Sequence, residues 1–395
     1  MSMIFAVLLF LYGGGLSPVS SSAAAAPIWN VSEVVLPDGA PLRRDTLAVY
    51  GGYASLEEAV ASQDRAEEKN RTGPVDDDRR TEFSGQVFAH YGWNATGTGA
   101  TESFNGFALT RWYATVKTRL SDRLDFRGTT DVGMTDVGYT AFVKFAYVDW
   151  RARPGLSLRA GVHQTGWQSY VNKVWGYRGV AKTMAQQQGH VSMADLGATL
   201  TADLPAHLGQ AAVGVLNGTG FRRFETDRFK DVAAQLRLAP FAGGGGALAP
   251  VRLAGHIYRG RYADERTRQR WGGLIAYDGA AYTLAVNYEG RRDGEARATG
   301  VSGFGTFRLA AVPTVGTFTL LGLVDVYAVD DPNGDPAVEA QRIRSIVGLA
   351  YQPADGLTLS LDYQRNHAEM PVYDRYDGTL TDVDASLYLH VIVNY

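Results

Sequence analysis

The chain has no cysteine among its 395 residues, which excludes a disulfide framework and thiolate metal sites. It has no strong excess of charge either. Its 38 basic and 41 acidic side chains leave a formal net charge of -3, so nucleic acid is not an expected partner on bulk charge. Beyond the N-terminal stretch, no run approaches the ~18 apolar residues that a membrane helix needs. The seven histidines are scattered, without the His-x-His or His-x-x-x-His spacing that suggests zinc. Neither a Gly-x-Ser-x-Gly elbow nor a Walker loop occurs. Asp331-Pro-Asn-Gly-Asp335 has its glycine at the wrong place for a calcium loop and fits a tight turn. No enzyme chemistry, cofactor or metal is expected.

Glycine and tyrosine, by contrast, are plentiful, at 46 and 21 residues. Both favour turns, strands and interfacial belts over helices. The most informative segment is the last, Ser386–Tyr395. Leu387, Leu389, Val391, Val393 and Tyr395 fall on alternate positions and so share one face of a strand. An apolar strand ending on an aromatic residue is a liability at a soluble sheet edge. It suits a membrane barrel, whose last strand closes on the first and whose terminal aromatic sits at the interface. At the other end, Ile4–Tyr12 is apolar and Ser20–Ala26 is small, as in a cleaved export signal over 1–26, although no Lys or Arg precedes the apolar stretch.

Residues 27–81 read as a periplasmic extension with one short helix over 55–69, started by a Ser55/Glu58 capping box. From 82 to 395 the pattern is alternation, and sixteen strands can be placed. The even-numbered strands mostly end in tight links, such as Arg153-Pro-Gly155, and the odd-numbered strands in longer polar ones. That parity distinguishes an outer-membrane barrel, with short periplasmic turns and long extracellular loops, from a sandwich. Aromatics at strand ends (Tyr91, Trp93, Trp150, Tyr258, Tyr262, Tyr351, Tyr363, Tyr395) suggest interfacial girdles. The fold expected is therefore all-β: a 16-stranded antiparallel transmembrane β-barrel. The facing of strand 269–278 is ambiguous.

If the apolar faces meet lipid, the lumen receives the charges, among them Arg111, Arg127, Arg159 and Arg342, with Asp131, Asp149 and Asp325. An interior this wide holds water, and charges kept dry there would be prohibitively costly. The longest link, 165–191, carries Trp167, Tyr170, Trp175 and Tyr177 with Lys173, Arg178 and Lys182, and no acid. Folding inward would bury the rings and hang the three cations over the pore, favouring anions. The alternative for this loop is an outward lid or a trimer contact.

Trp175-Gly-Tyr-Arg178, Asn217-Gly-Thr-Gly220 and Ala146-Tyr-Val-Asp149, with the strand order and loop position, resemble the superfamily of phosphate-selective porins O and P over about 82–395. The resemblance implies a homotrimer whose third extracellular loop folds inward as a constriction, here 165–191. Phosphate specificity is not carried over, because those channels use dense lysine clusters and this chain has six lysines. The function expected is passive diffusion of small hydrophilic solutes across the bacterial outer membrane with some anion preference. The pathway would include Lys173, Trp175, Tyr177, Arg178, Lys182, Arg111, Arg127, Arg159 and Arg342. Its partners would be outer-membrane lipid and small solutes or ions. The alternative is a non-conducting barrel acting as adhesin or receptor.

Overall fold

The structure is a computed structural model that describes residues 80–95, 105–135, 137–244, 246–312, 316–330, 341–373 and 380–395. The expected signal segment, the helix over 55–69 and nearly all of the extension lie outside the described residues. Sixteen strands follow one another: β1 (Thr81–Asn94), β2 (Asn105–Ser121), β3 (Leu124–Thr135), β4 (Gly138–Arg153), β5 (Leu156–Gln164), β6 (Ala194–Asp203), β7 (Gly209–Leu216) and β8 (Asp231–Leu238). They continue as β9 (Val251–Arg261), β10 (Thr267–Asp278), β11 (Tyr282–Asp293), β12 (Ala296–Val312), β13 (Gly316–Asp330), β14 (Arg342–Ala354), β15 (Leu357–Tyr373) and β16 (Leu380–Asn394). Each pairs antiparallel with its sequence neighbours and β1 pairs with β16, so the barrel is closed. Closure removes the free edges that make an isolated apolar strand hazardous.

Alternation decides which way each side chain faces. On β11, Tyr282, Leu284, Val286 and Tyr288 are exposed, while Thr283, Ala285, Asn287 and Glu289 are buried. Outward residues such as Ile257, Ile275 and Val347 are at least 60% exposed, so the outer wall is apolar where a soluble protein would be polar. On β16, Leu387, Leu389 and Val391 face outward and Tyr388, His390 and Ile392 are buried inside.

The terminal residue takes part in closing the cylinder. Tyr395 exchanges two backbone hydrogen bonds with Gly85 on β1, at 2.7 and 3.0 Å. Its ring lies over Gly85, where an added Cβ would fall 2.3 Å from Cζ, and Trp112 Nε1 donates to its hydroxyl at 2.9 Å. Glycine at 85 is what lets the ring lie flat on the wall and reach Trp112.

Three expectations change. Tyr258 and Tyr262 do not belong to a girdle; they turn inward and donate to Asp231 and Asp293 at 2.5 and 2.9 Å. The parity of links is weaker than expected, because β3–β4 and β11–β12 are tight hairpins and the ladders carry residues assigned to loops. The segment after β5, expected only as a long link, contains two helices, α1 (Gly166–Trp175) and α2 (Met184–Gln187).

Candidate functional site

The link between β5 and β6 folds inward, and its sequence shows why. Trp167, Val171, Val174 and Trp175 recur at helical spacing and form the buried face of α1. This face meets an apolar part of the inner wall built from Leu274, Ala285, Phe304, Leu321, Leu323 and Ile346. Trp175 is 1% exposed and stands edge-on to Phe304 at 5.6 Å. Trp167 stacks on His256 at 4.3 Å and its Nε1 donates to Glu289 Oε1 at 2.5 Å. Gly176 ends the helix in the left-handed region, at φ 75°, donating to Asn172 O at 3.0 Å.

The chain then travels round the lumen. Gly179 lies against Phe88 and Ile392 at the β1–β16 seam, and Arg344 Nη2 on β14 donates to Lys182 O at 2.8 Å. Met184 is fully buried against Ala298, Tyr327 and Val329. His190 Nε2 lies 3.0 Å from the Tyr327 hydroxyl, and Arg270 Nε donates to His190 O at 2.5 Å. Burial, followed by the charges of Arg291, Arg270 and His256, lowers the His190 pKa to about 3, so this contact does not titrate near neutrality. The loop is therefore tied to the wall on many sides of the lumen.

Between its tip and β2–β4 lies a dense group of cations. The Asp131 carboxylate, on β3, is contacted by Arg111 at 3.3 Å, Lys144 at 3.5 Å and Arg222 at 3.8 Å. The Tyr113 hydroxyl is reached by Lys144 Nζ at 2.8 Å and by Arg178 Nη1 from the loop at 2.9 Å. Arg178 Nε has no hydrogen-bond partner among the described residues. Lys182 is exposed to the lumen yet enclosed by protein; partial burial, then the charges of Arg111, Arg178, Arg222 and Arg344, hold its pKa below the usual lysine range. Three cations thus contact one carboxylate, with Arg178 and Lys182 close to them. A cavity of about 850 Å³ on the open-loop side and one of about 400 Å³ toward the Tyr395 rim share Lys144, Arg178 and Met193 in their walls. Lys144 and Arg178 stand where the two cavities approach each other, and Arg111 and Arg222 line the larger one.

The residues singled out from the sequence separate into groups. Arg111, Arg178 and Lys182 belong to this cluster. Lys173 is exposed in a different cavity beneath α1. Trp175 is an anchor in the wall rather than a surface of the pathway, and Tyr177 is half-buried 6.0 Å from it. Arg127 lines the cavity near the Tyr395 rim, with its guanidinium 4.7 Å above Phe145. Arg159 is paired with Asp149 through Nε at 3.0 Å and also through Nη2. Arg342 lies opposite Tyr327 in the ladder.

Lys144, Arg222 and Tyr113 are the members that sequence reading missed. Strict alternation with Asp149 turns Lys144 outward. A bulge between β3 and β4 pairs Thr129 with Phe145 and Thr130 with Val143, skipping Lys144 and letting it reach Asp131.

No family model and no curated protein matches the sequence. Many solved structures match the fold. An anion-selective porin from Comamonas acidovorans aligns with a TM-score of 0.58 at 8% identity, covering 80% of this chain and 100% of that one. The outer-membrane channel DcaP of Acinetobacter baumannii aligns at 0.54 and 11% identity, over 81% and 99%. OmpT of Vibrio cholerae, described as an outer membrane protein in trimer form, aligns at 0.55 and 10% identity, over 81% and 100%. At these identities the likeness shows the fold: a porin-type barrel. It does not distinguish the phosphate-selective superfamily from other porins.

Proposed function

We propose that the chain is an outer-membrane porin through which small hydrophilic solutes diffuse passively, with a preference for anions set by the loop 165–193. The observation that carries this reading is the cluster of Arg111, Lys144, Arg178, Lys182 and Arg222, of which three contact the carboxylate of Asp131, near the approach of two lumen cavities. A cluster with an excess of cations in a protein-walled passage attracts anions and repels cations. The apolar outer belt supports membrane insertion, and the neighbours' fold supports a porin rather than an adhesin. An exported precursor cleaved near 26, a periplasmic extension over 27–81 and a homotrimer belong to the same proposal. Kinship with the phosphate-selective porins rests on the short motifs at 146–149, 175–178 and 217–220.

The direct test is conductance of the purified protein in a planar bilayer, with the reversal potential measured across a KCl gradient. Stable channels with an anion-selective potential are expected. Absence of conductance would overturn the porin reading in favour of a receptor or adhesin. A pH series adds an internal check. Because Lys182 loses its proton at lower pH than a free lysine, anion preference should begin to fall on the alkaline side before ordinary lysines titrate. The Lys182→Met variant should show a smaller alkaline decline.

A further inference from the structure

We propose that the cavity enclosed between α1 and the inner wall of β5–β9 is a binding subsite for a small hydroxylated carboxylate, a solute carrying both an acid group and several hydroxyls. The cavity measures about 330 Å³, at the small end of ligand pockets. No Asp or Glu lines it, although Arg159, Lys173 and Arg237 do. Arg159 is neutralised by Asp149, whereas no salt bridge to Lys173 or Arg237 occurs among the described residues. Arg237 is held rigidly: its Nη2 donates to Gly166 O at 2.8 Å and its guanidinium lies 4.6 Å above the Tyr170 ring. Its Nε is buried without an acceptor.

The first turn of α1 opens on the same cavity through Gly166 and Trp167. Its N-cap Thr165 turns its hydroxyl away to donate to Ser192 O at 2.6 Å, and no acid stands in that turn. The helix end therefore adds a positive field and amide donors without a side-chain cap. Donors alone would call for any anion. The walls also carry neutral polar groups, among them the amides of Gln164, Gln210 and Gln235. The Gln235 amide lies so close to Gly166 that a Cβ there would fall 2.7 Å from Oε1. Hydroxyls of Ser157, Thr199 and Thr201 line the facing strands. A carboxylate pairs with Lys173 and the helix end beside Arg237, and solute hydroxyls exchange hydrogen bonds with the hydroxyl and amide side chains of the walls. Acetate lacks the second feature and glucose the first.

As a stop on a permeation route, the subsite rests on the porin reading, but its binding can be measured separately. Isothermal titration of the full-length protein in detergent with sodium gluconate, sodium acetate and glucose should show gluconate binding about tenfold more tightly than either alternative. Arg237→Gln should weaken gluconate by about tenfold, and Lys173→Gln, which leaves the loop anchors in place, should weaken it by less. Gluconate binding no better than acetate or glucose, or binding unchanged in both variants, overturns the subsite. Conductance without selective gluconate binding keeps the channel and removes the subsite. Selective binding without conductance keeps the subsite and removes the channel.

Discussion

Replacing Trp167 with alanine is expected to release the loop from the barrel wall, raising single-channel conductance severalfold and reducing anion preference. Trp167 is 4% exposed and combines a stack on His256 with a hydrogen bond to a carboxylate that is itself 1% exposed. Truncating a buried tryptophan costs roughly 3–5 kcal/mol. Leaving Glu289 short of one donor adds about 1–3 kcal/mol, softened because His256 and Asn287 still contact it at 3.3 and 3.2 Å.

That cost falls on the loop rather than on the barrel. The ladder from β1 to β16 closes without the loop, so local detachment requires far less than global unfolding. The barrel should keep its resistance to heat in detergent, while trypsin gains access to Lys173, Arg178 and Lys182. Trp167→Phe keeps the stack and removes the donor, and should fall between the two. A Trp167→Ala channel with unchanged conductance and unchanged trypsin resistance would show that this anchor does not hold the constriction.

The same contact explains what could be read from the sequence. Sixteen strands were legible because alternation is a direct consequence of a two-sided wall, and it is clear wherever one side is apolar and the other polar, as on β11 and β16. The facing of β10 was ambiguous for a physical reason. Leu274 and Ala276 face inward and Ile275 outward, so both sides are apolar. The inner apolar set is the landing site of α1. A strand with two apolar faces inside an otherwise polar-lined barrel thus marks where a loop docks, and Trp167, Val171, Val174 and Trp175 supply the matching helical face. Charges were harder to assign. Arg111 and Asp131 follow simple alternation, but Lys144 enters the cluster through a bulge that has no clear mark in the residues around it. Lys173 and Lys182 look equivalent in sequence, yet Lys173 lines the cavity beneath α1 while Lys182 follows the turn after Gly176 toward Arg344 on β14.

Reversing the two loop cations with Arg178→Glu and Lys182→Glu is expected to abolish anion preference, bringing the reversal potential in a KCl gradient close to zero. The native cluster gathers Arg111, Lys144, Arg178, Lys182 and Arg222 near Asp131, which the first, second and last contact. After the double change, three cations face three carboxylates. Unit charges at 4 Å interact by about 4 kcal/mol at an effective dielectric of 20, so the new acids should pair with Lys144 and Arg111 rather than project as isolated charges. Loss of the Arg178–Tyr113 hydrogen bond is a modest cost, because the buried Tyr113 hydroxyl keeps its bond from Lys144 at 2.8 Å. The effect must depend on salt. At ~0.1 M the screening length is about 10 Å, and at ~1 M it is about 3 Å, shorter than the cluster is wide. Native and variant channels should therefore differ most in dilute KCl and converge in concentrated KCl. Conductance in concentrated salt reports the width of the passage and should stay near the native value, separating a change of field from a change of shape. If the double variant keeps the native reversal potential in dilute salt, ions pass elsewhere, and the cavity between α1 and β5–β9 becomes the route to test by Lys173→Glu.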